Sequence, residues 1–410
     1  MTASAPLLPR LLAAPLERAV AEFPVTVVTG ARQTGKSTLV RQIANLGDRR
    51  YLTLDDFDVR ARAEEAPDAL VRGARDLTLD EVQRVPDLLQ AVKGTVDEDR
   101  NPGRFVLTGS ANLLLMEAVS ETLAGRAVYL RLWPLTRRER RGRGACGRWD
   151  LFLQREPDRW EAGLDEEEEP PEPWEDAAHQ GGYPPVVLHH TTAEARSRWF
   201  DGYVQTYLER DLQSLRAVEH LPEFRRLMRA ACLRLGRLVN QTELGRDVGL
   251  SQPTVRRYLN LLETSYQLVR IEPFSVNRTK RLIKTPKAYW SDTGLAHHLA
   301  GGGEPNGHLF ENLVLTDLLA WRDAVGVRAE ILYWRTAAQE EVDFVIETPR
   351  GVLPIEVKAG SRLRPADARH VRTFLDEYPD LADAGLLLYA GAETAWIAED
   401  VLAVPWWRVM

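Results

Sequence analysis

Eight residues, "GARQTGKS" from Gly30 to Ser37, constrain this chain more than any other stretch. They follow an apolar β-rich run, Val25 to Thr29, and open a helix-forming run. The spacing is G-x-x-x-x-G-K-[ST], a phosphate-binding loop. Gly30 and Gly35 let backbone N–H groups converge where side chains would obstruct, with Ala31, Arg32, Gln33 and Thr34 as the intervening loop. Lys36 reaches the β- and γ-phosphates, Ser37 is the Mg²⁺ ligand, and Thr38 stands in the first turn of a helix whose N-terminus favours anions. ATP and Mg²⁺ are the cofactors expected.

A loop of this kind needs a parallel sheet around it. "DLTLDEVQ" and "RFVLTGSANLLL" each read as a short buried strand ending in polar residues, which implies an α/β domain. At the end of the first, Asp80 is placed to orient Mg²⁺ through water and Glu81 to polarise the attacking water. At the end of the second, Ser110 is a candidate sensor of the γ-phosphate or simply a cap. Arg126, after Gly125, is either a finger for a neighbouring subunit's γ-phosphate or a surface arginine.

The net charge of −7 argues against a uniformly basic coat but hides segregation. Residues 221–290 carry 14 Lys/Arg against 5 Asp/Glu, whereas residues 161–176 hold nine acids and no base. That acidic, proline-containing stretch cannot bury enough apolar surface to pack and reads as a loop (160–177). No run of about 18 apolar residues occurs, so no membrane span is expected. With two cysteines, Cys146 and Cys232, and no signal-peptide pattern, the cytoplasm is the expected compartment.

Inside the basic segment, "QTELGRDVGLSQPTVRRYLNLLE" reads as helix, turn, helix. Gly249 ends the first helix, Ser251 caps the second, and Val255, Leu259 and Leu262 form its buried face. Gln252, Thr254, Arg256 and Arg257 are left towards solvent, where a recognition helix meets DNA. "FSVNRTKRLIKTPK" follows as a basic loop, with Lys280 and Arg281 as further phosphate contacts. Either this segment binds DNA, or it is an interdomain or partner-binding module.

Towards the C-terminus, "EEVDFVIETPRGVLPIEVKAG" reads as a hairpin. Period-2 alternation puts Glu356 and Lys358 on one strand face, and the turn brings Asp343 alongside. Asp343 and Glu356 would form an oxygen site suited to Mg²⁺, with Lys358 placed either to stabilise developing phosphorane charge or to hold the attacking water. Glu311, set among apolar residues of "GHLFENLVLTDLL", needs a partner that the same metal would supply. A hairpin with ordinary alternating charges has the same pattern.

The strings "PRLL", "GARQTGKSTL", "YLTLDD", "LDEVQRVPDLL", "FVLTGSANLLL", "LAGRAVYLRLWPLT", "GGYPPV", "YVQTYLERDL", "YWSDTGLAHHL", "EVDFVIE" and "PIEVKAG" run through nearly the whole chain. As a set they resemble a group of prokaryotic AAA-type ATPases that carry a winged-helix segment and a restriction-endonuclease-like C-terminal domain. The resemblance implies an α/β AAA-type ATPase with its lid (1–215), a winged-helix domain (216–300) and a nuclease-like α/β domain (301–410). It implies Arg126 as a trans-acting finger, hence a homo-oligomer, and Glu311, Asp343, Glu356 and Lys358 as a nuclease constellation. Two functions follow: an ATPase acting on duplex or branched DNA in processing, repair or defence, or a regulatory ATPase switch that binds a protein partner through an inactive scaffold.

Overall fold

Val25 to Thr29 form a strand, β1, buried at every position, which requires cover on both faces and hence parallel neighbours. Those neighbours are β2 (Arg50–Thr53), β3 (Leu77–Asp80), β4 (Phe105–Thr108) and β5 (Ala127–Arg131), paired in the order β2-β3-β4-β1-β5. All four pairings are parallel. Loops at the carboxyl ends of β1, β3 and β4 therefore meet at one edge, the usual place for a ligand in such a sheet. The computed structural model describes residues 7–44, 49–109, 122–153, 156–164, 172–209, 218, 220–326 and 328–410. Ser110 and most of the Glu-Pro stretch lie outside the described residues.

The arginine-rich stretch after β5 is more buried than its composition suggests. Arg137 and Arg138 are 2% and 9% exposed, and Trp149 is fully buried. Arg137 Nη1 donates to the carbonyls of Trp407 and Met410, both at 3.0 Å, so the end of the chain packs against this stretch.

The middle segment contains helices Gln241–Val248 and Gln252–Thr264. Gly249 between them is left-handed (φ 71°), and Ser251 caps the second helix. An antiparallel ribbon follows, β6 (Leu268–Ile271) and β7 (Lys287–Trp290). The expected basic loop between these strands is instead interrupted by a helix, Arg278–Ile283, which Asn277 caps. A helix start at Asn277 is legible in retrospect, because Asn is a preferred N-cap.

The C-terminal sheet contains β8 (Glu330–Arg335), β9 (Glu341–Thr348), β10 (Gly351–Lys358), β11 (Gly385–Tyr389), β12 (Ala395–Ala398) and β13 (Val401–Pro405). Their order is β12-β13-β11-β10-β9-β8. β9 and β10 form the expected hairpin, in register Ile355 to Phe344. Helix Gly307–Ala324 lies across this sheet and meets β7. There Asn312, wholly buried, accepts from the Trp290 N–H at 2.7 Å and donates to its carbonyl at 2.8 Å. One apolar core runs from Trp133 through the middle segment to Met410, while a separate core fills one side of the first sheet. Among the described residues no helix is long and apolar enough to cross a membrane.

Candidate functional site

The loop after β1 has the backbone its glycines were expected to permit. Gly30 sits at φ 142° and Gly35 at φ 94°. A Cβ on Gly30 would lie 2.3 Å from the Leu132 carbonyl oxygen, so side chains are excluded there. Gln33 also takes a left-handed conformation (φ 64°). Within the loop Thr34 Oγ1 donates to the Ala31 carbonyl at 2.9 Å, and Thr38 is exposed in the first turn of the following helix.

Lys36 is buried, and its ammonium donates to the carbonyls of Gly30 (3.2 Å) and Ala31 (2.8 Å). Burial is the largest influence on it and lowers its pKa to about 8; Arg32 lowers it further, while Glu81 and Asp80 oppose. Ser37 Oγ donates to Asp80 Oδ1 at 3.1 Å. Asp80 also accepts from the hydroxyls of Thr108 and Tyr51, the latter at 2.5 Å on Oδ2. Burial first, and that bond second, raise the Tyr51 pKa to about 12. Glu81 is left-handed (φ 60°), with its N–H donating to Thr108 Oγ1 at 3.2 Å and its carboxylate bonded to Gln83. The site thus brings together the loop, Ser37, Asp80 and Glu81. A glycine cradle, a buried ammonium and a hydroxyl–carboxylate pair fit a nucleotide phosphate and Mg²⁺.

Two supports of this site escaped the sequence reading. Arg10, 8% exposed, donates to the Thr34 carbonyl at 2.6 Å, the Trp133 carbonyl at 2.7 Å and Glu139 Oε1 at 3.0 Å. An arginine inside the apolar run "PLLPRLL" was the available signal, since a buried charge needs partners. Tyr203 is the other. Its hydroxyl donates to the Arg32 carbonyl at 3.4 Å and accepts from Tyr183 (3.1 Å) and Gln267 (3.2 Å). Arg126 lies on the turn after Gly125, and its guanidinium pairs in two-pronged fashion with Asp97 at 2.6 and 2.9 Å.

The candidate DNA contacts separate. Gln252, Arg256 and Arg257 are exposed on their helix, and Thr254 is half-buried with its hydroxyl 2.9 Å from that of Ser251. The side chain of Lys280 lies outside the described residues. Arg281 is a correction. It is 4% exposed and pairs with Glu347 (2.5 and 3.1 Å) and Glu330 (3.1 Å). The acids that β8 and β9 bring to it already occupy its fork, so it is structural and unavailable to phosphate.

In the C-terminal body, Asp343 Oδ2 accepts the Val357 N–H at 2.9 Å, and Glu356 carries the Lys358 ammonium. Burial, then Glu311, raises the Asp343 pKa to about 6, and burial, then Asp343, raises that of Glu356 well above the carboxylate range. Glu311 accepts from the Tyr289 hydroxyl at 3.3 Å and lies 3.1 Å from His308 Nδ1. Lys287, on β7 and absent from the sequence expectations, inserts its ammonium between Glu341 and Asp343. Among the described residues no three His, Cys, Asp or Glu side chains are arranged to hold a metal ion.

Comparison with known proteins matches residues 22–140 to the model of an AAA domain. Residues 171–306 and 306–409 match two domains of unknown function, DUF8612 and DUF4143. An uncharacterized protein of Mycobacterium tuberculosis is 31% identical over 402 residues, 96% of this chain and 82% of that protein. One from Mycobacterium bovis matches to the same extent. An uncharacterized protein of Haemophilus influenzae is 22% identical over 355 residues, 81% of this chain and 82% of that protein. Among solved structures, the Walker-type ATPase of Pyrococcus abyssi gives a TM-score of 0.44 at 17% identity, over 72% of this chain and 99% of that one. This chain belongs to the family of the mycobacterial proteins, with an AAA-type P-loop ATPase domain in its N-terminal part.

Proposed function

We propose that the chain binds ATP with Mg²⁺ at Gly30–Thr38 and hydrolyses it, and that the nucleotide state is read by the body bearing the helix–turn–helix and the C-terminal acids. The observation that carries this is Lys36, a buried ammonium held by two loop carbonyls beside the Ser37–Asp80 pair. Bound ATP and Mg²⁺ would supply the phosphoanhydride and its Lewis acid. Lys36 would exchange the Gly30 and Ala31 carbonyls for phosphate oxygens. Ser37 and Asp80 would hold the cation's side of the site, and Glu81, aligned by Thr108, would orient the attacking water. Arg126 would act on a neighbouring copy after release from Asp97, which makes the active form a homo-oligomer. The test is phosphate release by the full chain with Mg²⁺. Lys36→Ala abolishes it on this reading, and a wild-type rate in that variant overturns it.

For the remainder of the chain, the exposed Arg256 and Arg257 on a capped helix, followed by a ribbon, favour DNA as the partner. The buried Asp343 and Glu356, both pushed up first by burial and then by a neighbouring acid (Glu311 for Asp343, Asp343 for Glu356), favour a divalent-cation site that cleaves nucleic acid. The donors suit Mg²⁺ in kind: Glu356 Oε2 is buried without a hydrogen-bond partner among the described residues. Branched, single-stranded and duplex DNA, incubated with Mg²⁺ or Mn²⁺ with and without ATP, tests both. Cleavage lost in Asp343→Ala supports the reading. No cleavage of any of them favours a protein-binding switch on an inactive scaffold.

A further inference from the structure

β7 presents Lys287 and Tyr289 on one face, two residues apart, and both reach the C-terminal acids. Lys287 is 1% exposed. Its ammonium is bonded to Glu341, lies 3.8 Å from Asp343 Oδ1 and sits 5.6 Å from the centre of the Tyr333 ring. Beyond Asp343 stands Glu356, whose Oε1 takes Lys358 and whose Oε2 is buried with no hydrogen-bond partner among the described residues. The acids are therefore unevenly satisfied. One oxygen of Asp343 is fixed by the Val357 N–H, its other faces an ammonium too distant to hydrogen-bond, and one oxygen of Glu356 is orphaned.

We propose that Lys287 is the resident cation of this cluster, and that a divalent ion binds Asp343 and Glu356 only when the Lys287 ammonium withdraws towards Glu341. This rests on the cation-site reading above. An ion on Asp343 Oδ1 would stand beside the ammonium in a low-dielectric setting, where like charges repel strongly. Glu341 gives the ammonium somewhere to go, since it is already bonded there and Glu341 is the more exposed acid, 26% against 12% for Asp343. Lys287 is thus a gating residue and not a ligand. Its strand belongs to the middle segment, and the partner strand β6 begins one residue after Gln267, which bonds Tyr203 beneath the phosphate loop.

The test is Mn²⁺ binding, by calorimetry and electron paramagnetic resonance, to the nucleotide-free full chain carrying Ser37→Ala to silence the phosphate-loop cation position. In that background Lys287→Met binds one ion at least about tenfold more tightly than the chain with Lys287 intact, the scale typical of groups just outside a metal's ligands. Adding Asp343→Asn removes the gain, and Lys287→Arg, which keeps the charge and guards against a folding artefact, stays weak. Equal, tight binding with and without Lys287 keeps the cation site and overturns the gate. No binding in any variant, each checked for a cooperative melt, overturns the site and the gate together.

Discussion

The guanidinium of Arg10 donates to the Thr34 carbonyl at 2.6 Å, fixing the phosphate loop from a segment twenty residues before it. The same fork holds Trp133 and Glu139. Glu139 is 2% exposed and also accepts the N–H groups of Leu11 (2.7 Å) and Thr136 (2.9 Å). Arg10→Ala leaves that carboxylate buried without its cation, a change that costs about 3–5 kcal/mol. Thermal unfolding reads the loss, and nucleotide titration at a temperature where the variant is folded shows weakened ATP binding. Arg10→Lys, which keeps charge but not the fork, falls between.

Tyr203 bonds the phosphate loop at Arg32, the Gly-Gly-Tyr segment at Tyr183, and Gln267 just before the ribbon. Tyr203→Phe removes only the hydroxyl and leaves buried polar groups unsatisfied, at about 1–3 kcal/mol. If the nucleotide state travels by this contact, the variant retains ATP binding, while any effect of ATP on protease sensitivity of residues 221–290 disappears. An ATP effect of wild-type size in Tyr203→Phe contradicts the route.

Lys36 makes nucleotide binding depend on pH. Burial holds its folded pKa at about 8, below the 10.5 of an exposed lysine. Between these values the unfolded chain binds more protons, so this group makes folding more favourable as pH rises through the window. Phosphates favour the charged form, so above about pH 8 ATP binding takes up a proton and weakens by up to about tenfold per pH unit. Calorimetry in buffers of different ionisation enthalpy measures that uptake. A pH-independent affinity from 7.5 to about 9.5 would run against it.

Arg256 and Arg257 should separate from Arg281 in a DNA-binding assay. Alanine at the exposed pair weakens binding and lowers the salt slope by about 1 for each phosphate no longer neutralised. Arg281→Ala destabilises the chain, because Glu347 and Glu330 lose a buried partner. Equal effects of both on the salt slope at unchanged stability would contradict the assignment.

Local rules made the phosphate loop legible: Gly30, Gly35, Lys36 and Ser37 are each demanded by φ, by size or by charge within eight positions. Asp80 and Glu81 were legible for the same reason, as acids at the end of a buried strand. What escaped is carried by long-range contacts. Arg10 and Glu139 are 129 residues apart, and Lys287 meets Asp343 only because β7 docks beside helix Gly307–Ala324. Arg281 looked like a wing cation because its neighbours in sequence are basic, whereas its neighbours in space are Glu330 and Glu347. Charge read along a chain does not report charge read across a sheet.

ATP binding and phosphate release, measured side by side on the wild type, Lys36→Ala and Glu81→Gln, test the central claim most directly. The account predicts that Glu81→Gln binds ATP as the wild type does but releases phosphate at least about a hundredfold more slowly, the scale for loss of a general base. Lys36→Ala is predicted to lose both. Phosphate release at the wild-type rate in either variant would contradict the claim that this site hydrolyses ATP.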